Sequence, residues 1–280
     1  CYGGRPAMDE HRTMKSLNPQ VIIGTPGRMN DHLNKGNIDA SHVHTLVIDE
    51  FDKCLEMGFQ EEMSEVIAQI PYLKRRFLLS ATDAPAIPRF VSEGDFLKLN
   101  FLEDEEQIPE RIKVYTVKSP EKDKLEVLSK LLCYLGDKSS LVFVNYRESV
   151  ERVYRYLLQE GISCEMFHGG MEQKDRERAL YKFSNGSCNV FVSTDLAARG
   201  LDIPNIDHVI HYHLPLNEDA YIHRNGRTAR WDASGNVFLI LGPEEYLPEF
   251  IQQIPEDYVW EGPKPDPATV SYTHLRAHET

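Results

Sequence analysis

What the sequence lacks narrows its chemistry first. No CxxC pair occurs among the five cysteines, Cys1, Cys54, Cys133, Cys164 and Cys188. That argues against a zinc ribbon or a disulfide framework and points to a reducing cytosol. No run of roughly 18 apolar residues occurs, so no stretch reads as a membrane span. No charged-then-apolar leader follows Cys1, and no signal peptide is read. Repeats at a short period are missing. The two tryptophans, Trp231 and Trp260, stand alone and read as packing rather than base stacking. An excess of positive charge is missing too: 31 basic against 44 acidic side chains give a net charge of −13. Such a surface repels polyanions as a whole, although the sign says nothing of local clusters.

What is present is an alternation of short apolar runs with amphipathic stretches. Strands are expected at 21–24, 45–48, 76–80 and 96–100, then at 112–117, 141–145, 164–167, 189–193, 208–211 and 237–241. Their consecutive Val, Ile, Leu and Phe residues suit strands buried on both faces of a parallel sheet. Helical spacing marks 59–70 through Met63, Val66, Ile67 and Ile70. It marks 124–135 through Leu125, Leu128, Leu131 and Leu132, and 150–158 through Val153, Tyr154 and Leu157. The fold class expected is α/β with two lobes, 1–102 and 111–260, joined by an acidic linker at 103–110 that contains Pro109. Residues 261–280 read as a tail, and 270–280 resemble a translated sequencing-adapter end to be left out of fold reasoning. With no initiating Met, both ends suggest an incomplete reading frame.

Polar residues gather where these strands end. Asp49 and Glu50 follow the run Leu46, Val47, Ile48, and paired carboxylates at a strand end call for a cation or a partner. An Asp there suits a hydrated Mg²⁺, and the next Glu can orient or deprotonate an attacking water. Ser80, Ala81 and Thr82 end another run and can hydrogen-bond a neighbouring carboxylate or cap a helix. Thr25, Pro26, Gly27 and Arg28 make a phosphate-binding corner at a helix start, and Gly3, Gly4 and Arg5 offer a similar loop. In the second lobe, His168, Gly169 and Gly170 leave a strand, with Gln173 and Arg176 three apart on the next helix. Thr194 and Asp195 end a further strand, followed by Arg199, Gly200, Leu201 and Asp202, the last able to accept from a ribose hydroxyl. His223 begins HRNGRTAR, whose Arg224, Arg227 and Arg230 fall near one face at helical spacing. Planar guanidiniums suit a phosphoryl group whose charge spreads over three oxygens. Taken singly, each of these is equally a polar turn, a helix cap or a solvated basic face. His211 and His213 form an HxH pair without an evident third ligand, which disfavours a metal.

Taken in order, GG, TPGR, DEFD, SAT, HGG with QxxR, TDLAARGLD and HRNGRTAR resemble a DEAD-box RNA helicase of superfamily 2 over roughly residues 1–241. The resemblance implies two RecA-like domains with ATP and Mg²⁺ between them and RNA crossing both. It assigns Asp49 and Glu50 to the Mg²⁺ water shell and water activation, and Asp52, Ser80 and Thr82 to coupling. Arg227 and Arg230 match arginine fingers, with His223 bridging to the first domain. Gly200 and Asp202 match the nucleotide site. Gly4, Arg5, Thr25, Gly27, Arg28, Gly170, Arg176 and Thr194 match RNA contacts. Phe51 replaces the usual Ala, Ala229 a common Gly, and Asn225 an apolar or small residue. No GxxxxGK[ST] loop occurs; that loop, the adenine-reading segment and the first RNA motif would precede Cys1. The expectation is therefore a fragment with an incomplete first domain, cytoplasmic, inactive alone, from a parent that hydrolyses ATP to open short duplexes. A non-catalytic RNA- or partner-binding module and a DNA-acting helicase of the same superfamily are the alternatives.

Overall fold

The computed structural model describes residues 1, 7–17, 19–80, 87–91, 97–100, 111–198, 206–229, 234–260 and 262–270. The chain divides into two compact units, Cys1–Asp104 and Glu105–Thr280. The expected linker at 103–110 lies outside the described residues.

The first unit carries α1 (Ala7–Ser16), α2 (Pro26–Asn34), a 3-10 turn at Ala40–His42, β1 (Thr45–Ile48), α3 (Phe51–Glu56), α4 (Gln60–Ala68) and β2 (Arg75–Leu78). β1 and β2 pair in parallel, Thr45 opposite Arg75 and Ile48 opposite Leu78. Phe51, Met63 and Val91 form the buried centre, with Ile48, Leu55, Ile67 and Leu78 packed around it. The other face of the pair is bare. Val47 and Phe77, partners in register, are 53% and 50% exposed. Burial on both faces therefore fails in this unit, where among the described residues helices cover one side of the pair.

Two expected strands are also corrected. Residues 21–24 and 97–100 are not strands, and Val21, Ile23, Leu97 and Leu99 are all exposed. A strand is stabilised by cross-strand pairs and a covered face; Ile23 O accepts from the Cys1 amine (2.6 Å) and the Thr25 amide donates to Cys1 O (3.0 Å), one residue's worth of pairing, and the apolar side chains of both runs stay uncovered. Residue 96 lies outside the described residues.

The second unit contains β3 (Ile112–Lys118), α5 (Leu125–Leu135), β4 (Ser140–Phe143), α6 (Arg147–Gln159), β5 (Cys164–Phe167), α7 (Gln173–Ser184), β6 (Val190–Ser193), α8 (Asp195–Ala198), β7 (His208–His211), α9 (Glu218–Asn225), β8 (Gly235–Leu241) and β9 (Glu256–Asp257). The strands form one sheet in the order β5-β6-β4-β7-β8-β3-β9, and every pairing is parallel. All four residues of β4, β6 and β7 are buried, the burial expected of central parallel strands with both faces covered.

Alternation along β4 divides the core. Val142 and Val144 join Leu128, Leu131 and Leu132 of α5 and Val153 and Leu157 of α6. Leu141 and Phe143 join Ala179 and Phe183 of α7 and Ala197 and Ala198 of α8 on the opposite face. Successive side chains on a strand point to opposite faces, so one run of apolar residues serves both layers. Segment 262–270, within the expected tail, lies against this unit. Lys264 donates to Ser129 Oγ (3.2 Å), and Val270 is 1% exposed within the core; residues 271–280 lie outside the described set. Trp260 packs between Tyr134 and Tyr258 under the Lys130 ammonium, while Trp231 is outside the described residues. Among the described residues no helix is long and apolar enough to cross a membrane, and the five cysteines are free thiols.

Candidate functional site

Parallel strands end together, so the residues that follow β1 and β2 share one edge. The Leu79 amide donates to Ile48 O (2.9 Å) and the Phe51 amide to Leu79 O (3.0 Å). These two bonds bind the DEFD turn to the segment that carries Ser80. Asp49 is exposed, and its Oδ1 accepts the Glu50 amide at 2.9 Å. Glu50 sits in the left-handed region, φ 48° and ψ 46°, as the cap of α3. Asp52 is 7% exposed, with Lys53 Nζ 4.0 Å from its Oδ2. The Cys54 thiol is pushed up by burial and then by the Glu50, Asp52 and Asp49 carboxylates, which registers the negative field at this edge.

This donor set fits a hydrated Mg²⁺ better than a dehydrated one. Asp49 and Glu50 belong to no three-donor group among the described residues, and Mg²⁺ is commonly held through water by one or two carboxylates. The one His/Cys/Asp/Glu group that does converge among those residues is Cys1, Glu10 and His32. There Glu10 Oε2 already lies 3.2 Å from the Arg28 guanidinium, so a cationic side chain serves that carboxylate.

Of the TPGR corner, Thr25 caps α2 without a side-chain hydrogen bond and Pro26 takes the first helical turn. A Cβ at Gly27 would meet nothing within 4 Å, so the backbone there is open to a close approach. Arg28 is less open than expected, since it turns to Glu10 of α1 and its side chain is only 10% exposed.

In the second unit Gly170 donates to His168 Nδ1 (3.2 Å). Arg176 on α7 donates to Gln173 Oε1 (3.4 Å) and lies over the Phe167 ring at 4.9 Å. Thr194 is 9% exposed and its carbonyl starts α8 by accepting the Ala198 amide. The next residue, Asp195, receives Arg224 through Nε (2.5 Å) and Nη2 (2.7 Å).

Arg224 is the hub that the sequence did not reveal. It is 1% exposed and also donates to Asn145 Oδ1 (2.8 Å), His213 O (2.7 Å) and His211 Nδ1 (3.3 Å). One guanidinium thus ties α9 to the ends of β4, β6 and β7. His211 accepts at Nδ1 and donates from Nε2 to Asn225 Oδ1 (2.9 Å), so it is neutral; burial and then Arg224 hold its pKa down at about 3. Asn225, the departure from the family pattern, is explained by this bond. The available signal was an Arg and an Asp in strand-end motifs of an acidic chain, where a permanent charge has to be paired.

The helical spacing expected for Arg224, Arg227 and Arg230 is corrected. α9 stops at Asn225, where the Gly226 amide bonds Ile222 O (2.8 Å), and Thr228 pairs as an isolated bridge with Ile206. Arg227 therefore follows the helix rather than continuing its face. It is 9% exposed and shares with His223, Arg224, Asp195, Phe143 and Ala198 a cavity of about 10 Å³, room for roughly one water. Gly4, Arg5, Thr82, Gly200, Asp202 and Arg230 lie outside the described residues.

Comparison with known proteins gives a consistent pattern. Residues 1–89 match the DEAD/DEAH box helicase family, and 123–232 match the helicase conserved C-terminal domain. The chain is 35% identical over 248 residues to the DEAD-box ATP-dependent RNA helicase CshA of Geobacillus kaustophilus, covering 87% of this chain and 52% of that protein. Identity to the Listeria monocytogenes ATP-dependent RNA helicase CshA is 36%, over 87% of this chain and 47% of that one. The fold resembles S. cerevisiae Dbp5 bound to RNA and ADP BeF3, with a TM-score of 0.71 and 29% identity over 81% of this chain and 61% of that one. The chain spans about half the length of the curated relatives it matches.

Proposed function

Since the chain belongs to the DEAD-box helicase family, we propose that it is the part of an ATP-dependent RNA helicase that carries the water-activating acids, the arginine fingers and much of the RNA face. Its two α/β units with parallel strands are the RecA-like pair of the resemblance, the first small, with two strands against seven among the described residues. The observation that carries the proposal is Asp49 followed by the left-handed Glu50 at the carboxyl end of β1, bonded through Phe51 and Leu79 to the Ser80 segment. Glu50 takes the proton of the water that attacks the terminal phosphorus of ATP; the bond to the bridging oxygen breaks and ADP and phosphate leave. Bound Mg²⁺ would neutralise phosphate charge, its water shell held by Asp49 and Glu50. Arg227 and Arg230 stabilise charge on the transferred group, Asp202 with Gly200 holds the ribose side, and His223 bridges the domains. Asp52, Ser80 and Thr82 transmit closure. Gly4, Arg5, Thr25, Gly27, Arg28, Gly170, Arg176 and Thr194 line the RNA backbone.

In such an enzyme RNA and ATP bind cooperatively, because both favour the closed state. The free thiols suit a reducing cytoplasm. The test is ATP hydrolysis by the full-length protein with RNA and with DNA: RNA stimulation that disappears in Glu50→Gln is expected. Equal stimulation by DNA would move the assignment to a DNA-acting relative. Full-length protein that binds RNA yet never hydrolyses ATP would leave the non-catalytic module.

A further inference from the structure

Two Asn-Gly pairs occur in the sequence, Asn185-Gly186 and Asn225-Gly226. In such a pair the backbone nitrogen after the asparagine can attack the side-chain carbonyl carbon, because glycine sets no Cβ in the way. The pairs stand at the ends of α7 and α9, and the fold treats them in opposite ways. Asn225 is held at both reacting groups. It is 7% exposed, and its Oδ1 accepts from His211 Nε2 at 2.9 Å. The Gly226 amide donates to Ile222 O at 2.8 Å and closes the last turn of α9. Attack there would break both bonds inside the buried network of Arg224 and His211.

Asn185 is exposed. It caps α7 at φ −91° and ψ 4°, and Gly186 turns the chain away at φ 75°. A Cβ at Gly186 would meet nothing within 4 Å, so this corner has room to move. The Gly186 amide makes a longer bond than its counterpart in α9, 3.2 Å to Phe183 O. Asn185 Oδ1 accepts the Ser187 amide at 3.0 Å. That bond closes a turn that holds the side-chain carbonyl beside the Gly186 nitrogen. It also sets an N–H donor on the oxygen that gains negative charge during attack.

We propose that Asn185 is a site of spontaneous modification, closing to a succinimide with Gly186 and opening to isoaspartate or aspartate, while Asn225 is spared. The Gly186 nitrogen gives up its proton and bonds to Asn185 Cγ; the bond from Cγ to Nδ2 breaks, and ammonia leaves. Water then adds to one imide carbonyl. Opening at the main-chain carbonyl gives isoaspartate, and opening at the side-chain carbonyl gives aspartate. Either product puts a carboxylate at the C-terminal end of α7, where the helix dipole disfavours negative charge. Isoaspartate also lengthens the main chain just ahead of β6.

The test ages the whole 280-residue chain in heavy-oxygen water at mildly alkaline pH, once folded and once unfolded in guanidinium chloride. Cleavage after glutamate at mildly acidic pH then isolates peptides 178–218 and 219–244 for mass spectrometry with fragmentation. In the folded chain Asn185 takes up heavy oxygen roughly a hundredfold faster than Asn225, whose attacking amide is held out of reach. In the unfolded chain the two rates come within about twofold of each other, since the packing that separates them is gone. Asn185→Gln removes the uptake from peptide 178–218. Equal rates at Asn185 and Asn225 in the folded chain would overturn the proposal. So would an Asn185 that stays intact when folded yet converts when unfolded, or uptake in that peptide that survives Asn185→Gln.

Discussion

Ala229 and Glu50 are the non-glycine residues with positive φ among the described ones, at 52° and 48°. An L-residue in that region costs roughly 1–2 kcal/mol, and Ala229 stands where the family commonly has Gly. Ala229→Gly is therefore expected to stabilise the chain by about 1 kcal/mol, part of the relief being offset by the freer unfolded chain. A urea midpoint that stays put or falls would contradict this. Glu50 carries the same strain, and in the proposed function it is the water-activating acid. Glu50→Gln keeps that backbone, so full-length protein should keep its melting temperature while losing turnover. Arg227→Ala in the same protein should lower turnover much more than RNA affinity, and equal losses would count against a finger. Arg224→Ala acts differently. It leaves the Asp195 carboxylate without both of its guanidinium bonds, and a loss of about 3 kcal/mol in folding stability is expected, with Arg224→Lys unable to restore the two-pronged geometry.

At the scale of elements, six of the seven strands of the second unit were legible to within a residue or two, because β-branched and aromatic runs buried on both faces leave a strong imprint; β9, the acidic pair Glu256–Asp257, has no such run and was missed. Segments 21–24 and 97–100 carry the same imprint without forming strands, and composition alone does not tell whether a neighbouring strand exists to receive it. The basic block misled for another reason: the spacing of Arg224, Arg227 and Arg230 suits a helix, yet Gly226 ends it and Thr228 turns to Ile206. Strand-end carboxylates were readable from pattern, whereas the partners of Arg224 come from three separate strands and only the folded sheet unites them. The same strand ends predict a pH response. Burial lowers His208 to about 4, His211 to about 3 and His213 to about 4. Asp207 and Lys138 face His208, Arg224 faces His211, and Lys124, Glu245, Arg224 and Arg152 face His213. Below the ordinary value of 6.5 the unfolded chain takes up protons that the folded chain refuses, so this stability is present above 6.5 and is lost as pH falls toward 4. The melting temperature should drop across that window, and less steeply in His208→Gln; a flat native profile would count against three neutral buried imidazoles.

For the molecule as a whole, the two units differ in how much core supports them. The core cluster of the first centres on three buried apolar residues, Phe51, Met63 and Val91, beside two strands, while the second has a cluster on each face of its sheet, with β4, β6 and β7 buried throughout. Residues 1–100 expressed alone are expected to aggregate through Val21, Ile23, Val47 and Phe77, all exposed; a monomeric, soluble product by sedimentation would contradict that. The 280-residue chain alone should show no RNA-stimulated ATP hydrolysis, and steady turnover abolished by Glu50→Gln would overturn that expectation. At the far border of the larger sheet lies β9, two acidic residues whose Asp257 takes bonds from Thr116 Oγ1 (2.7 Å) and Lys118 Nζ (2.9 Å). A stranger's backbone sliding alongside β3 would have to dislodge this short acidic bumper first, so crowding the protein at high concentration should not knit larger sheets together along that flank.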